Sequence, residues 1–175
     1  RLPKAAPLPL MEVASQTDAL KAQIDKLEHA IVANVRCDDD ARRLVTIPGV
    51  GAITAASVRA LVPDPGGFKS GRHFAAWLGL TPKPHSSGGK ERLGRISKMG
   101  NPALRSLLVV GATAVLRHAR SNPNASKWLT VLLARRPYRI VAVALANKTA
   151  RIIWVLLVKG GTYQDNGASN QMAAA

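Results

Sequence analysis

Between residues 41 and 159 the chain carries 20 Lys and Arg side chains against two acids, Asp64 and Glu91. Two acids cannot neutralise twenty cations internally, so most of the cations must stay at the surface. A fold for this stretch has to bury uncharged stripes drawn from one side of each element. The rest of the chain is charged differently: residues 1–40 hold 5 basic and 7 acidic side chains, and residues 160–175 hold one acid and no base. The formal total of +15 points to an acidic partner, nucleic acid first and an anionic membrane face second. Two acids cannot supply the converging carboxylates of a two-metal nuclease or polymerase site, so this stretch alone is not expected to bind a metal. At 175 residues and 47% hydrophobic content, the chain suits one modest domain with appendages and is not a disordered basic tail. The lone Cys37 excludes an internal disulfide or a thiolate zinc cluster and fits a reducing cytosol.

Apolar spacing predicts a mostly helical chain. Val13, Leu20, Ile24, Leu27, Ile31 and Val35 form a stripe, giving a helical arm over 12–40 that is either a coiled coil or a helix packed on its own domain. After Asp38-Asp39-Asp40, a short helix over Ala41 to Thr46 ends at Ile47-Pro48-Gly49-Val50-Gly51, and a second runs from Ala52 to about Leu61. A helix over Ser70 to Leu78 follows, stopped by Gly79. Residues 79–100 have low propensity for any element and read as a long functional or disordered connection. Asn101 caps the next helix with Pro102 at its first position, and Leu104, Leu107, Leu108, Val115 and Leu116 are expected to be buried. Further helices are expected over about 125–135 and 137–158, the latter burying Ala142, Leu145, Ile152, Leu156 and Leu157. Trp77, Trp128 and Trp154 are expected mostly in cores.

No signal peptide is read at the start, and the apolar runs 107–116, 140–146 and 152–158 are too short to span a bilayer. The expectation is a cytoplasmic chain without a membrane partner. It opens on Arg1 rather than Met, which reads as a fragment or an unusual start. The expected plan is a disordered or fragment edge over 1–11, the arm over 12–40, one all-α domain over 41–160 and a disordered tail over 161–175.

Two motifs carry candidate chemistry. Pro48, Gly49 and Gly51 form a turn between helices that resembles a helix-hairpin-helix element, in which backbone amides at the following helix start can receive a DNA phosphate and Arg59 adds charge. The same letters also make a plain tight turn. The second motif is His85-Ser86-Ser87-Gly88-Gly89-Lys90, followed by Arg92, Arg95 and Lys98. Accessible serines, flexible glycines and surrounding cations are what a nucleophile attacking a phosphodiester needs, and they equally make an inert phosphate-binding loop. Gly88-Gly89-Lys90 lacks the spacing of a nucleotide-binding P-loop. Arg135-Arg136-Pro137-Tyr138-Arg139 is either a phosphate clamp with a stacking ring or a solvated basic turn.

Taken in order, Thr46 to Gly51, Phe74 to Pro82, Ser86 to Lys90, and Leu93 to Asn101 with Leu104-Arg105 resemble the C-terminal half of transposases of the insertion-sequence 110/116/902 type, nearest the insertion sequence 1111 branch. The resemblance covers roughly residues 40–160. It implies DNA transposition between element ends and a target, with an element-encoded guide RNA in some members and a homo-oligomer in the full-length form. It implies a serine nucleophile at Ser86 or Ser87, with Ser86 the preferred register; DNA contacts are expected, from the turn and the cations themselves, at Pro48, Gly49, Gly51, Lys90, Arg92, Arg95, Lys98 and Arg105. Family members hold their Mg²⁺ in an acidic RuvC-like N-terminal domain, which this sequence lacks, so the chain is expected to bind no cofactor and to be inactive alone. The competing readings are a noncatalytic helix-hairpin-helix module and a structural helical protein of the ribosome or nucleoid.

Overall fold

The computed structural model describes residues 7–85, 93–119 and 126–164. Its elements run α1 (Pro7–Cys37), α2 (Asp39–Val45), α3 (Ala52–Leu61), a 3-10 turn (Pro65–Gly67), α4 (Gly71–Trp77), β1 (Pro82–Pro84), β2 (Leu93–Ile96), α5 (Pro102–Ala119), α6 (Lys127–Arg135) and α7 (Tyr138–Lys159). The chain is mostly helical, and the expectation of an all-α fold is corrected by one short antiparallel β-hairpin inside 79–100. Pro82 and Pro84 lack amide donors, so β1 can pair only weakly, which is tolerable in a two-stranded ribbon that exposes both strands.

α7 is the axis of the domain and packs against α2, α4, α5 and α6. Its buried face is Val141, Ala142, Ala146, Thr149, Ala150, Ile153 and Leu156. Ala142, Ala146 and Ala150 repeat every four residues, and small side chains in that row let a neighbouring helix approach closely. Around this face sit Leu44, Phe74, Leu78, Leu80, Leu104 and Leu108, all fully buried. A smaller cluster of Leu116, Leu129, Val141 and Ala142 joins the far ends of α5 and α7 to α6. Side-chain hydrogen bonds fix α7 to its neighbours: Tyr138 OH donates to the Thr113 carbonyl (3.0 Å), Asn147 Nδ2 to that of Leu80 (3.1 Å) and Trp154 Nε1 to that of Pro65 (3.0 Å). By length and composition α7 could cross a membrane; here it is the helix on which the core is built.

α1 behaves differently. From Leu8 to Ala30 every residue is exposed, including Val13, Leu20, Ile24 and Leu27, and packing begins only with Ile31 and Val35. Asp38 then caps α2, its Oδ1 accepting from the amides of Asp40 (2.9 Å) and Ala41 (3.2 Å). The same carboxylate accepts from Arg59 Nε at 2.9 Å, and Arg59 Nη1 reaches Asp40 Oδ2 at 3.1 Å. This group fastens the arm's end and α2 to α3. At the other end, Tyr163 packs on the core and its amide donates to Thr46 Oγ1 at 3.3 Å, so the chain just after Gly161 returns to the domain.

Two expectations about burial are corrected. Trp77 and Trp128 are 37% and 41% exposed rather than in the core. On α7 the core holds Ile153, while Leu145, Ile152 and Leu157 are only half-buried, as are Leu107 and Val115 on α5.

Candidate nucleic-acid interface

The turn between α2 and α3 is held from beneath by buried Ile47 and Val50, with the Val50 amide donating to the Ile47 carbonyl at 3.0 Å. Pro48 is exposed. Gly49 adopts φ +83°, and a Cβ there would lie 2.7 Å from the Gly111 carbonyl oxygen and 2.8 Å from Val115 Cγ2. The close approach that requires glycine is therefore to the backbone of α5. Gly51 faces the other way: it is exposed, it is the N-cap of α3 without a side-chain cap, and a Cβ on it would meet nothing within 4 Å. The first-turn amides of α3 beside it have no partner within the helix. Arg59, expected to add charge at this turn, is instead engaged by Asp38 and Asp40.

The β1–β2 hairpin stands on a locked base. α4 ends with the Leu80 amide donating to the Ala75 carbonyl (3.0 Å) and that of Gly79 donating to Ala76 (2.9 Å), with Gly79 at φ +73°. This paired pattern around a left-handed glycine is a Schellman end. The returning chain lies on it: Ser97 N donates to Thr81 O (2.9 Å), Lys98 N donates to Gly79 O (3.1 Å), and Lys98 is a non-glycine residue at φ +56°. A Cβ on Gly79 would overlap Met99, and one on Gly100 would overlap the Trp77 carbonyl. Arg105 on α5 closes the base, its Nη1 donating to the carbonyls of Leu78 (3.0 Å) and Met99 (3.1 Å). Asn101 Oδ1 accepts from the Leu104 amide at 3.1 Å, the cap that starts α5.

At the far end of the stem, the His85 imidazole lies across the ribbon against Gly94, where a Cβ would overlap it. Of the candidate site residues, Arg95 and Lys98 are exposed on β2 and its exit, and Arg105 is half-buried at the base. Ser86, Ser87, Lys90 and Arg92 lie outside the described residues. The stem thus brings Arg95 and Lys98 onto the same hairpin that connects to the serine segment, while Pro48, Gly49 and Gly51 belong to a separate turn that packs further along α5, against Gly111 and Val115.

The Arg135–Arg139 turn leaves its arginines exposed, but the Tyr138 hydroxyl is bonded to α5 and its ring packs on the smaller core cluster, which removes the stacking ring from a phosphate clamp. Among the described residues no group of three or more His, Cys, Asp or Glu could hold a metal ion. Asp64 instead caps the 3-10 turn, accepting from the Gly66 amide at 2.9 Å.

Residues 41–127 match the Transposase IS116/IS110/IS902 family, a span running from α2 to the start of α6. The chain is 48% identical over 166 residues to the probable family 20 transposase of Pseudomonas aeruginosa, covering 91% of this chain and 49% of that relative. It is 46% identical over 142 residues to the transposase for insertion sequence element IS1111A of Coxiella burnetii, and 38% identical over 142 residues to that for IS1328 of Yersinia enterocolitica. Each of those two alignments covers 81% of this chain, and 39% and 42% of the relatives. The chain thus spans half or less of the length of these relatives. On the strength of these matches, the chain belongs to the IS116/IS110/IS902 family of transposases.

Proposed function

We propose that the chain is the C-terminal portion of an insertion-sequence transposase that binds DNA and presents the serine nucleophile of transposition. The observation that carries the DNA reading is the state of its cations. Among the described residues every ion pair falls on Asp38, Asp39 or Asp40 and engages only Arg42, Arg43 and Arg59. The other cations described between residues 41 and 159 stand without an ion-pair partner, a surface suited to phosphate. In this reading α2, its turn and α3 act as a helix-hairpin-helix element, with a backbone phosphate at the open start of α3 beside Gly51.

The hairpin supports the catalytic half of the proposal. Arg105 and the Gly79–Met99 crossing immobilise the stem base, so the segment with Ser86 or Ser87 extends from a fixed mount. Arg95 and Lys98, with Lys90 and Arg92, supply charge near the attacked phosphate. Mg²⁺ belongs in this account to the acidic domain of full-length relatives. Partners are element ends, target DNA and, in guided members, an element-encoded RNA, with the protein acting in the cytoplasm. The domain is taken as residues 41–160 and the arm as 12–40.

α1 is proposed as a coiled-coil arm joining two copies. Its exposed stripe sets Ile24 in one heptad position and Leu20 and Leu27 in the other, with the half-buried Ile31 continuing the first position toward the domain, the combination that favours two parallel strands.

The DNA reading is tested by titrating labelled duplex DNA over a range of salt. Affinity is expected to fall steeply, with a log–log slope of about 0.9 per phosphate contacted. Affinity that does not change with salt overturns it. Duplex binding in which a suicide substrate traps no protein, even with the acidic N-terminal domain of a relative and Mg²⁺ supplied, favours the noncatalytic module.

A further inference from the structure

Two clefts meet on α7. One, of about 210 Å³, lies between the Ile47–Pro48 turn, the end of α5, α6 and α7, with Trp128, Lys148 and Thr149 among its walls. The other opens between the start of α4 and α7 and is lined by Ser70, Arg72, Lys148 and Arg151. Lys148 and Ile152 line both, so the two clefts adjoin, and together they make a groove that crosses the Lys148–Ile152 row of α7. The start of α4 presses close to α7: a Cβ on Gly71 would sit 3.1 Å from the Arg151 carbonyl oxygen, which sets Arg72 next to Arg151. Lys148 and Arg151, three residues apart on one helix, share a face.

Arg72, Lys148 and Arg151 are all exposed, and among the described residues none has an ion-pair partner. No acid is among the described residues lining either cleft. Three unopposed cations in one groove repel one another and favour a polyanion. Beside them Trp128 keeps 41% of its surface open, with Lys148 Nζ 4.6 Å from its ring centre. Cations along a groove and an indole at its end are the two parts of a single-strand site: phosphates follow the charge and a base lies on the ring. A duplex cannot use the second part, because its bases are paired and stacked inside.

We propose that this groove holds an unpaired nucleic-acid strand, with Arg72, Arg151 and Lys148 on successive phosphates and one base lodged against Trp128. It rests on the nucleic-acid reading above and adds to it a separate, strand-specific site. The Trp128 cleft borders Pro48, so the groove starts beside the α2–α3 turn.

The test uses the full chain with three labelled probes: an oligodeoxyuridylate, an oligouridylate and a mixed-sequence duplex. Lys148→Gln with Arg151→Gln is expected to weaken single-strand binding about tenfold and to lower its salt slope by about 1.4, for two lost contacts at 0.7 each, with a smaller loss of duplex affinity. Trp128→Ala should cost about tenfold for the single strand, one base–aromatic stack, and Trp128→Phe should restore it. Circular dichroism verifies that each variant is folded, and the Phe variant separates lost stacking from lost packing. The two single strands differ in sugar, so whichever binds better identifies DNA or RNA as the source, and either supports the groove. Single-strand affinity unaltered by the double substitution, with duplex binding intact, overturns the groove and leaves the earlier reading standing. Loss of all binding in the wild-type chain overturns both.

Discussion

Gly49 and Gly111 meet backbone to backbone: the left-handed turn at Gly49 rests directly on α5, and a Cβ on Gly111 would overlap the Gly49 carbonyl. One consequence is that the two glycines of the α2–α3 turn have different tasks. Gly49 holds the turn to the domain, and Gly51 leaves the surface open at the start of α3.

Substitution separates them. Gly49→Val is expected to destabilise the domain by at least about 1–3 kcal/mol, from the strained dihedral before any overlap is counted. Gly51→Ala, in an extended conformation with open space around it, should change stability by less than about 0.5 kcal/mol yet weaken duplex binding. Thermal unfolding beside a binding titration reads both; equal losses of stability in the two variants would refute the division.

Much of this division was hidden from the sequence. Pro48, Gly49 and Gly51 mark a turn, and Asn101-Pro102 and Gly79 mark helix ends, because local chemistry fixes those positions. The direction in which Gly49 faces depends on Gly111, sixty-two residues away, and no local rule supplies it. Arg59 looked available for phosphate, although Asp38 and Asp40 hold it through a tertiary pairing. The letters Pro82-Lys83-Pro84 carry no alternating strand pattern; the ribbon forms because Thr81 and Gly79 receive Ser97 and Lys98. α7 is apolar nearly all round, so its inward face could not be phased, and alanines rather than Leu145 or Leu157 line the contact.

Removing the clamp at the hairpin base should loosen the hairpin selectively. Arg105→Ala deletes two hydrogen bonds from a charged donor, at about 1.5–3 kcal/mol for such groups when buried and less at this half-exposed site. Hydrogen exchange is expected to rise at Ser97 and Lys98 more than in α7. Uniformly faster exchange across the domain would contradict a local clamp.

Acid should weaken the junction of α1, α2 and α3. The Arg59 hydrogen bond, helped by the Ala41 and Asp40 amides and opposed by burial, holds the Asp38 carboxyl below its ordinary value of 3.8. A depressed carboxylate stabilises the fold fully above that ordinary value, and the contribution is lost as pH falls through the folded one. Asp38→Asn keeps a capping oxygen but loses the charge, so its unfolding midpoint should depend less on pH below about 4. Asp38→Ala should cost about 1 kcal/mol more through the lost cap. Identical acid limbs for wild type and Asp38→Asn would remove this role.

The arm makes its own prediction. Leu20→Asp with Leu27→Asp touches only exposed positions of α1, so the domain should unfold at an unchanged temperature. Sedimentation should shift from dimer toward monomer. A wild-type chain that is monomeric at all accessible concentrations would exclude pairing through the arm.

The central claim, a serine nucleophile carried on a locked hairpin, is tested most directly by a covalent product. The chain is combined with the acidic N-terminal domain of a relative, element-end DNA, any guide RNA and Mg²⁺, and digested peptides are weighed for attached nucleotide. The account predicts a DNA-linked peptide containing Ser86 and Ser87, abolished by Ser86→Ala if the preferred register holds and by Ser87→Ala if it is the next residue. Adduct at undiminished yield in the double alanine variant would contradict the serine mechanism.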